Sequence, residues 1–361
     1  MAENAQRMLT RAAARKSQAE SKRAAVSSDA VPPAKKRRPL GILPNSAPGV
    51  SAKSRSAVAG KKKAASNAPE EVVLKGVKDI DDSHDNPQMC SVYAPDIFDY
   101  IRRSEVRQRY NPDYMQVIQT DINANMRAIL VDWLVEVAEE YKLVPDTLYL
   151  TVSYVDQYLS ANHVTRQTLQ LLGVSCMLIA SKYEEICAPQ VEDFCYITDN
   201  TYTREEVLDM ERKVLRHLRF DLAVPTTKTF LRRFIRAAQS SYQVPSLQLE
   251  FLGNYLAELT LLEYNFLKFS SSLVAASIVF LARITIDSSA RPWSTTLQHY
   301  SGYRPSQLEA CVLAIHGLQT KSSTLPGVRE KYKQHKFKCV ATLQPPPVLF
   351  FQYFDDSTLE S

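Results

Sequence analysis

The 361 residues combine 45% hydrophobic side chains with only nine glycines, a composition that can build sizeable helical cores and disfavours turn-rich β architectures. The sequence has no G-x-G-x-x-G or G-K-[ST] phosphate loop, no C-x-x-C pair and no H-E-x-x-H, which removes support for nucleotide-dependent enzymes of those classes and for a metal site. The net charge of +5 is unevenly divided: residues 1–70 hold fifteen Lys/Arg against four Asp/Glu, so the remainder is net acidic and the basicity belongs to the N-terminal region.

The six cysteines, several inside apolar runs, read as reduced intracellular thiols. The longest apolar runs, near Leu169–Ala180 and Leu273–Ala282, fall short of a membrane span, and the N-terminus lacks a hydrophobic signal region, so a soluble intracellular chain with no membrane contact is expected. Residues 1–88 lack sustained hydrophobic periodicity and are rich in Ala, Ser and Pro, which predicts an unfolded regulatory arm carrying short recognition signals rather than a nucleic-acid grip. Within it, Lys35, Lys36, Arg37 and Arg38 form a dense cationic cluster of the kind importins bind, seconded by Lys61, Lys62 and Lys63; a merely solubilising charge run is the plainer reading. Overlapping it, Arg37, Leu40, Leu43 and Asn45 follow an R-x-x-L-x-x-L-x-N pattern. In an extended segment these side chains can meet an acidic site, an apolar pocket and a hydrogen-bonding pair.

Pro95 and Asp96 mark the first turn of a helix over about 93–108, with Tyr93, Ile97 and Tyr100 at i, i+4, i+7; this helix and its linker occupy 89–120. Five helices follow at about 121–141, 146–160, 166–185, 190–197 and 204–218, with starts marked by Pro145, Pro189 and the Thr203–Glu206 box. Five more fall at about 227–239, 246–264, 271–286, 293–300 and 305–320. The similar rhythm predicts an all-α fold of two tandem five-helix repeats, 121–223 and 224–322, ending in an extension over 323–361. Aligning 173–182 with 275–284 keeps small residues at 173/275, 175/277 and 180/282, and the same offset places Asp156 against Glu258. Lys182 meets Ile284, so any function of that lysine belongs to the first repeat alone.

Several charges fall on apolar faces. At about 100° per residue, Met126, Ile129, Leu130 and Trp133 form one apolar arc of the 121–141 helix, and further apolar residues extend it around the cylinder. Arg127 falls within it and demands a buried acid. Lys182 emerges near Leu171, Leu178 and Ile179, and Glu211 lies between Val207, Leu215 and Leu218. Lys182 and Glu211 either pair inside the core or stand at the rim of an interface, where Ile179, Tyr183, Leu215, Phe220 and Leu222 supply apolar area. Periodicity leaves both open.

The string MRAILVDWLVEV, with Asp156 in YVDQYLS, Lys182 in LIASKYEE and Glu211 in MERKVL, resembles the cyclin box, specifically that of an A-type cyclin, from about Tyr93 to the C-terminal region. The chain is similar to plant A-type cyclins, in particular the short-tailed third subgroup; it departs from animal A-type patterns at Tyr183 and at Cys187–Ala188. The resemblance implies a non-enzymatic regulatory subunit, without cofactor, that activates a cyclin-dependent Ser/Thr kinase between S phase and mitosis in the nucleus and cytoplasm. It places Lys182 and Glu211 against the kinase's PSTAIRE-type helix and makes Tyr93 and Ile97 further contacts. It turns Met126, Ile129, Leu130 and Trp133 into a groove for R-x-L segments of substrates and inhibitors, with Glu136 facing the peptide arginine and Gln170 beside it. Arg127 and Asp156 become a structural ion pair. Arg37, Leu40, Leu43 and Asn45 look like the destruction box bound by the anaphase-promoting complex. One rival is a nucleic-acid-binding adaptor with tandem repeats like those of general transcription factors, which would require a cationic face on repeats whose sequence is net acidic. A transcription-linked cyclin is a second, opposed by the MRAILVDW string and the Arg37–Asn45 pattern.

Overall fold

The computed structural model describes residues 76–82, 86–107, 110–240, 242, 244–289, 291–321 and 324–359, which contain thirteen α-helices and no strand. An N-terminal helix α1 (Ala94–Arg107) and a short α2 (Tyr114–Val117) precede a first repeat of α3 (Ala124–Glu140), α4 (Pro145–Leu159), α5 (Leu169–Glu184), α6 (Val191–Ile197) and α7 (Arg204–His217). The second repeat comprises α8 (Thr227–Gln239), α9 (Leu247–Leu262), α10 (Ser271–Ile286), α11 (Thr295–Ser301) and α12 (Pro305–Thr320), followed by α13 (Gly327–Tyr332).

Local chemistry sets these boundaries. Asn123 caps α3 by accepting from Met126 N at 3.0 Å, and Thr203 and Glu206 satisfy each other's backbone at the start of α7. Pro145 and Pro305 open α4 and α12, where a missing N–H is harmless. Gly302, at φ 71°, ends α11 in the left-handed conformation.

In each repeat the third helix is the axis. The helix α5 is enclosed by α3, α4, α6 and α7, and α10 by α8, α9 and α12. Both are apolar around most of their circumference, which suits a helix without a solvent face. Close approach follows from the small residues: a methyl group added at Gly173 would stand 2.8 Å from Leu130 Cδ1. The repeats meet where α3 packs on α9 and α4 on α8.

The structure orders part of the expected unfolded arm and adds two packed segments to the expected helices. Residues 76–82, expected in the unfolded arm, lie along the second repeat: Ile80 is buried, Lys78 N donates to Thr296 Oγ1 at 3.1 Å, and Asp81 accepts two bonds from Arg233 at 2.9 and 2.8 Å. The helix α2 was not expected; its four residues are too few for a periodic signal, yet Tyr114 is fully buried. The extension after residue 322 is packed too. Lys331 of α13 reaches both carboxylate oxygens of buried Glu258 at 2.9 Å, and Tyr332 donates to the same carboxylate at 2.7 Å. The acid that aligns with Asp156 is therefore also buried and satisfied, by residues that follow its repeat.

Candidate protein-docking surfaces

Arg127 meets Asp156, as the apolar setting of its guanidinium requires. Nε and Nη2 donate to the two Asp156 oxygens at 2.6 Å each, Tyr114 donates its hydroxyl to the same carboxylate at 2.7 Å, and Arg127 Nη1 reaches the Leu261 carbonyl at 2.8 Å. Both partners are sealed from solvent. Burial works against the Arg127 charge, but Asp156 more than offsets it and holds the guanidinium pKa above its ordinary value. The pair is structural: it fastens α3 to α4, to α2 and to the end of α9, and it offers no group to a partner.

Lys182 and Glu211 form a different kind of pair. Lys182 Nζ lies 2.6 Å from Glu211 Oε1, but the lysine side chain is 47% exposed while the glutamate is 10% exposed. The two do pair, as the plainer reading has it, but at the surface rather than inside the core. The exposed ammonium limits what the pair adds to stability, while the buried carboxylate stays part of the fold. Of the apolar residues expected beside it, Tyr183 is exposed, Leu215 and Leu222 are half-buried, and Phe220 is 69% exposed. Arg219 and Phe220 close α7 in the left-handed region, at φ 53° and 60°, with Phe220 N donating to the Leu215 carbonyl at 3.1 Å. Such a conformation for a bulky residue, with its ring left in solvent, marks a candidate contact.

Ile179 departs from the expectation. It is 2% exposed and belongs to the core of the first repeat, because the angular neighbourhood it shares with Lys182 is covered along most of α5 and opens only at the last turn. The exposed residue beside that turn is Ile186, missed because it follows the helix end and so belongs to no periodic face; an apolar side chain in the loop between Glu185 and Pro189 was the available signal.

Tyr93 and Ile97 are exposed, and Tyr100 continues their stripe. The opposite side of α1 is fastened to the second repeat. Glu105 accepts from Ser272 N and Oγ at 2.7 Å each at the start of α10, Arg102 donates to the Ser301 carbonyl at the end of α11, and Phe98 lies 4.1 Å beneath the Arg233 guanidinium. An acid at a helix N-terminus and a base at a helix C-terminus complement both dipoles and fix which face of α1 stays outward.

On α3, Met126, Trp133 and Glu136 are half-buried and Ile129 is exposed, with Gln170 half-buried on α5. Leu130 differs: at 5% exposure it lies beneath the patch, on Gly173. Burial first, and the neighbouring Asp132 second, raise the Glu136 carboxyl above the ordinary glutamate range, a setting in which a guanidinium from a ligand is favoured. Lys35, Lys36, Arg37, Arg38, Leu40, Leu43 and Asn45 lie outside the described residues.

Comparison with known proteins bears on the family and the fold. Residues 96–223 match the family described as "Cyclin, N-terminal domain", and 225–346 match "Cyclin, C-terminal domain". The chain is 59% identical over 275 residues to Cyclin-A3-1 of Oryza sativa subsp. japonica, covering 75% of this chain and 74% of that one. It is 56% identical over 294 residues to Cyclin-A1-1 of the same organism, covering 81% of this chain and 58% of that one. The chain spans about 58–62% of the length of the A1-type relatives it matches. A viral cyclin from herpesvirus saimiri superposes with a TM-score of 0.53 at 23% identity, over 60% of this chain and 95% of that one, and shares the fold. With both domains matched in order and an A-type relative covered over most of its length, the chain belongs to the cyclin family, among the A-type cyclins.

Proposed function

We propose that this chain is the regulatory subunit of a cyclin-dependent Ser/Thr kinase, acting in cell-cycle control from S phase to mitosis and having no catalytic activity of its own. The observation that carries the reading is the Lys182–Glu211 pair, whose ammonium is half-exposed, on a repeat that also leaves Tyr183 and Phe220 exposed. At that rim an ammonium and a carboxylate can bond the backbone of a partner helix while the apolar residues bury area against it. The stripe of Tyr93 and Ile97 would extend the contact. Binding the aligned state of the kinase's mobile helix and activation segment would convert this affinity into a population shift toward activity.

The half-buried Met126, Trp133, Glu136 and Gln170, with exposed Ile129, would hold R-x-L segments of substrates and inhibitors and raise their effective concentration at the kinase. The Lys35–Arg38 cluster would direct import into the nucleus through an importin. Arg37, Leu40, Leu43 and Asn45 would mark the chain for the anaphase-promoting complex and ubiquitin-dependent degradation. A nucleic-acid adaptor gains no support from the net acidic composition beyond residue 70.

The test is Lys182→Ala/Glu211→Ala. Kinase pull-down and histone phosphorylation should fall by more than about tenfold, equivalent to some 1.4 kcal/mol, while far-UV circular dichroism stays helical. Unchanged kinase binding would remove the main interface.

A further inference from the structure

The segment ahead of α1 is pinned along the second repeat. Thr295 Oγ1 donates to the Gly76 carbonyl, Lys78 N donates to Thr296 Oγ1, and Ile80 N donates to the Tyr300 hydroxyl, each at 3.1 Å, and the Ile80 side chain is buried. Asp81 then closes on Arg233 of α8 through two bonds, at 2.9 and 2.8 Å, with the two side chains only 11% and 8% exposed. The same guanidinium lies over two rings, Tyr300 of α11 at 4.9 Å and Phe98 of α1 at 4.1 Å. One nearly buried cation thus joins the strap of residues 76–82 to α1 and to two helices of the second repeat.

We propose that this strap is a positioning element for kinase binding: through Asp81 and Arg233 it holds the first turns of α1, so that Tyr93 and Ile97 are already in place when the kinase arrives. The proposal rests on the kinase-binding reading of that exposed stripe. It gives a role to residues 76–82, which lie ahead of the match to the cyclin N-terminal domain, beginning at residue 96. Asp81 and Arg233 are positioning residues, since neither belongs to the exposed stripe.

The two halves of α1 are fastened differently. Its C-terminal half is fixed by Glu105 on Ser272 and by Arg102 on the Ser301 carbonyl. In its first turns, Ile97 is exposed, while the adjacent Phe98 is half-buried and lies against Arg233. A desolvated guanidinium holds a ring more firmly than a hydrated one, but it stays out of water only while a carboxylate compensates it. Asp81 supplies that carboxylate. Without it, the Arg233 head gains by turning to water, Phe98 loses its seat, and the first turns of α1 loosen while the C-terminal half stays anchored. A stripe that must be ordered at the moment of binding captures its partner more weakly than one already in place.

The experiment uses the full chain and a purified cyclin-dependent kinase with a PSTAIRE-type helix. Asp81→Ala should weaken kinase binding about fivefold in a titration, and Ile80→Ala, which leaves Arg233 paired, should weaken it in the same direction. Hydrogen exchange of the free chain should quicken in residues 76–82 and in the first turns of α1, with α3 to α7 unchanged. Added to Tyr93→Ala/Ile97→Ala, Asp81→Ala should cause no further loss, because a stripe already removed cannot be misplaced. An equal further loss in that background would mean general damage and overturn the proposal. A loss in Asp81→Ala that Ile80→Ala does not share would trace to the orphaned guanidinium and overturn the role of the strap. Should Asp81→Ala lose its helical circular dichroism, Asp81→Asn, which keeps one acceptor for Arg233, takes its place beside Ile80→Ala with the same outcomes. Exchange separates the two ways of failing. Unchanged exchange in α1 would sink the strap and leave the stripe as a kinase contact, whereas a loosened α1 with parental kinase affinity would remove the stripe from the interface and the proposal with it.

Discussion

Phe220 holds a conformation its own fold does not favour. With φ at 60° and the ring largely in solvent, it forgoes both backbone ease and burial. Glycine reaches this region without steric cost, whereas an L-residue there costs about 1–2 kcal/mol. Phe220→Gly should therefore leave the melting temperature unchanged or slightly raised. Kinase affinity should fall about tenfold or more if the ring is an anchor, as aromatic anchors in interfaces commonly behave. Calorimetric melting beside kinase titration separates the two effects, and a variant that binds as well as the parent would show the ring to be idle. Single residues were unevenly legible in the sequence. Arg127 could be assigned an acidic partner because a guanidinium on an apolar arc has no other solution, and Asp156 fills that role. The second partner of Asp156, Tyr114, could not be foreseen: a tyrosine in a four-residue helix carries no pattern. Ile179 was misplaced because a helical wheel gives angle and not depth.

Among elements, those with a repeated apolar pattern and a chemical start were read to within a few residues, since Pro145 and the Thr203 box act locally. The helices α2 and α13 were lost, because four and six residues hold less than two turns and their stability is supplied entirely by what they touch. The contact between α3 and α5 also offers a test of the docking patch. Gly173 lets Leu130 lie flat against α5, and a methyl group there would meet Leu130 Cδ1 at 2.8 Å. Gly173→Ala must push that side chain away from α5, beneath the patch. The overpacking should cost about 1–3 kcal/mol. The repacked Leu130 should weaken an R-x-L peptide severalfold while affinity for the kinase, proposed to dock at the far end of α5, changes less. Equal losses at both surfaces would indicate general damage, and an unaltered peptide affinity in a folded variant would detach the patch from α3.

The described molecule is held together across its repeats by buried charge as well as by apolar packing. Lys331 is 9% exposed, lies between both Glu258 oxygens at 2.9 Å and Glu139 Oε1 at 3.3 Å, and so joins α13, α9 and α3. Arg127, bonded to the Leu261 carbonyl at 2.8 Å, makes a second such link. The sequence pointed to Glu258 as the counterpart of Asp156 but could not supply its partner, because Lys331 is 73 positions away in a segment without periodicity. Removing Lys331 would leave a buried carboxylate with only the Tyr332 hydroxyl, a change that costs about 3–5 kcal/mol in comparable buried pairs. Lys336 provides the control: it bonds Glu139 at 2.8 Å, but both side chains are substantially exposed, so Lys336→Ala should cost less than about 1 kcal/mol. If the buried links make the two repeats one cooperative unit, Lys331→Ala should shift a single urea transition to lower midpoint without splitting it, and Lys336→Ala should barely move it. Two separated transitions for Lys331→Ala, with the first repeat unaffected, would mean that each repeat folds on its own and that the Lys331 link is local to the second.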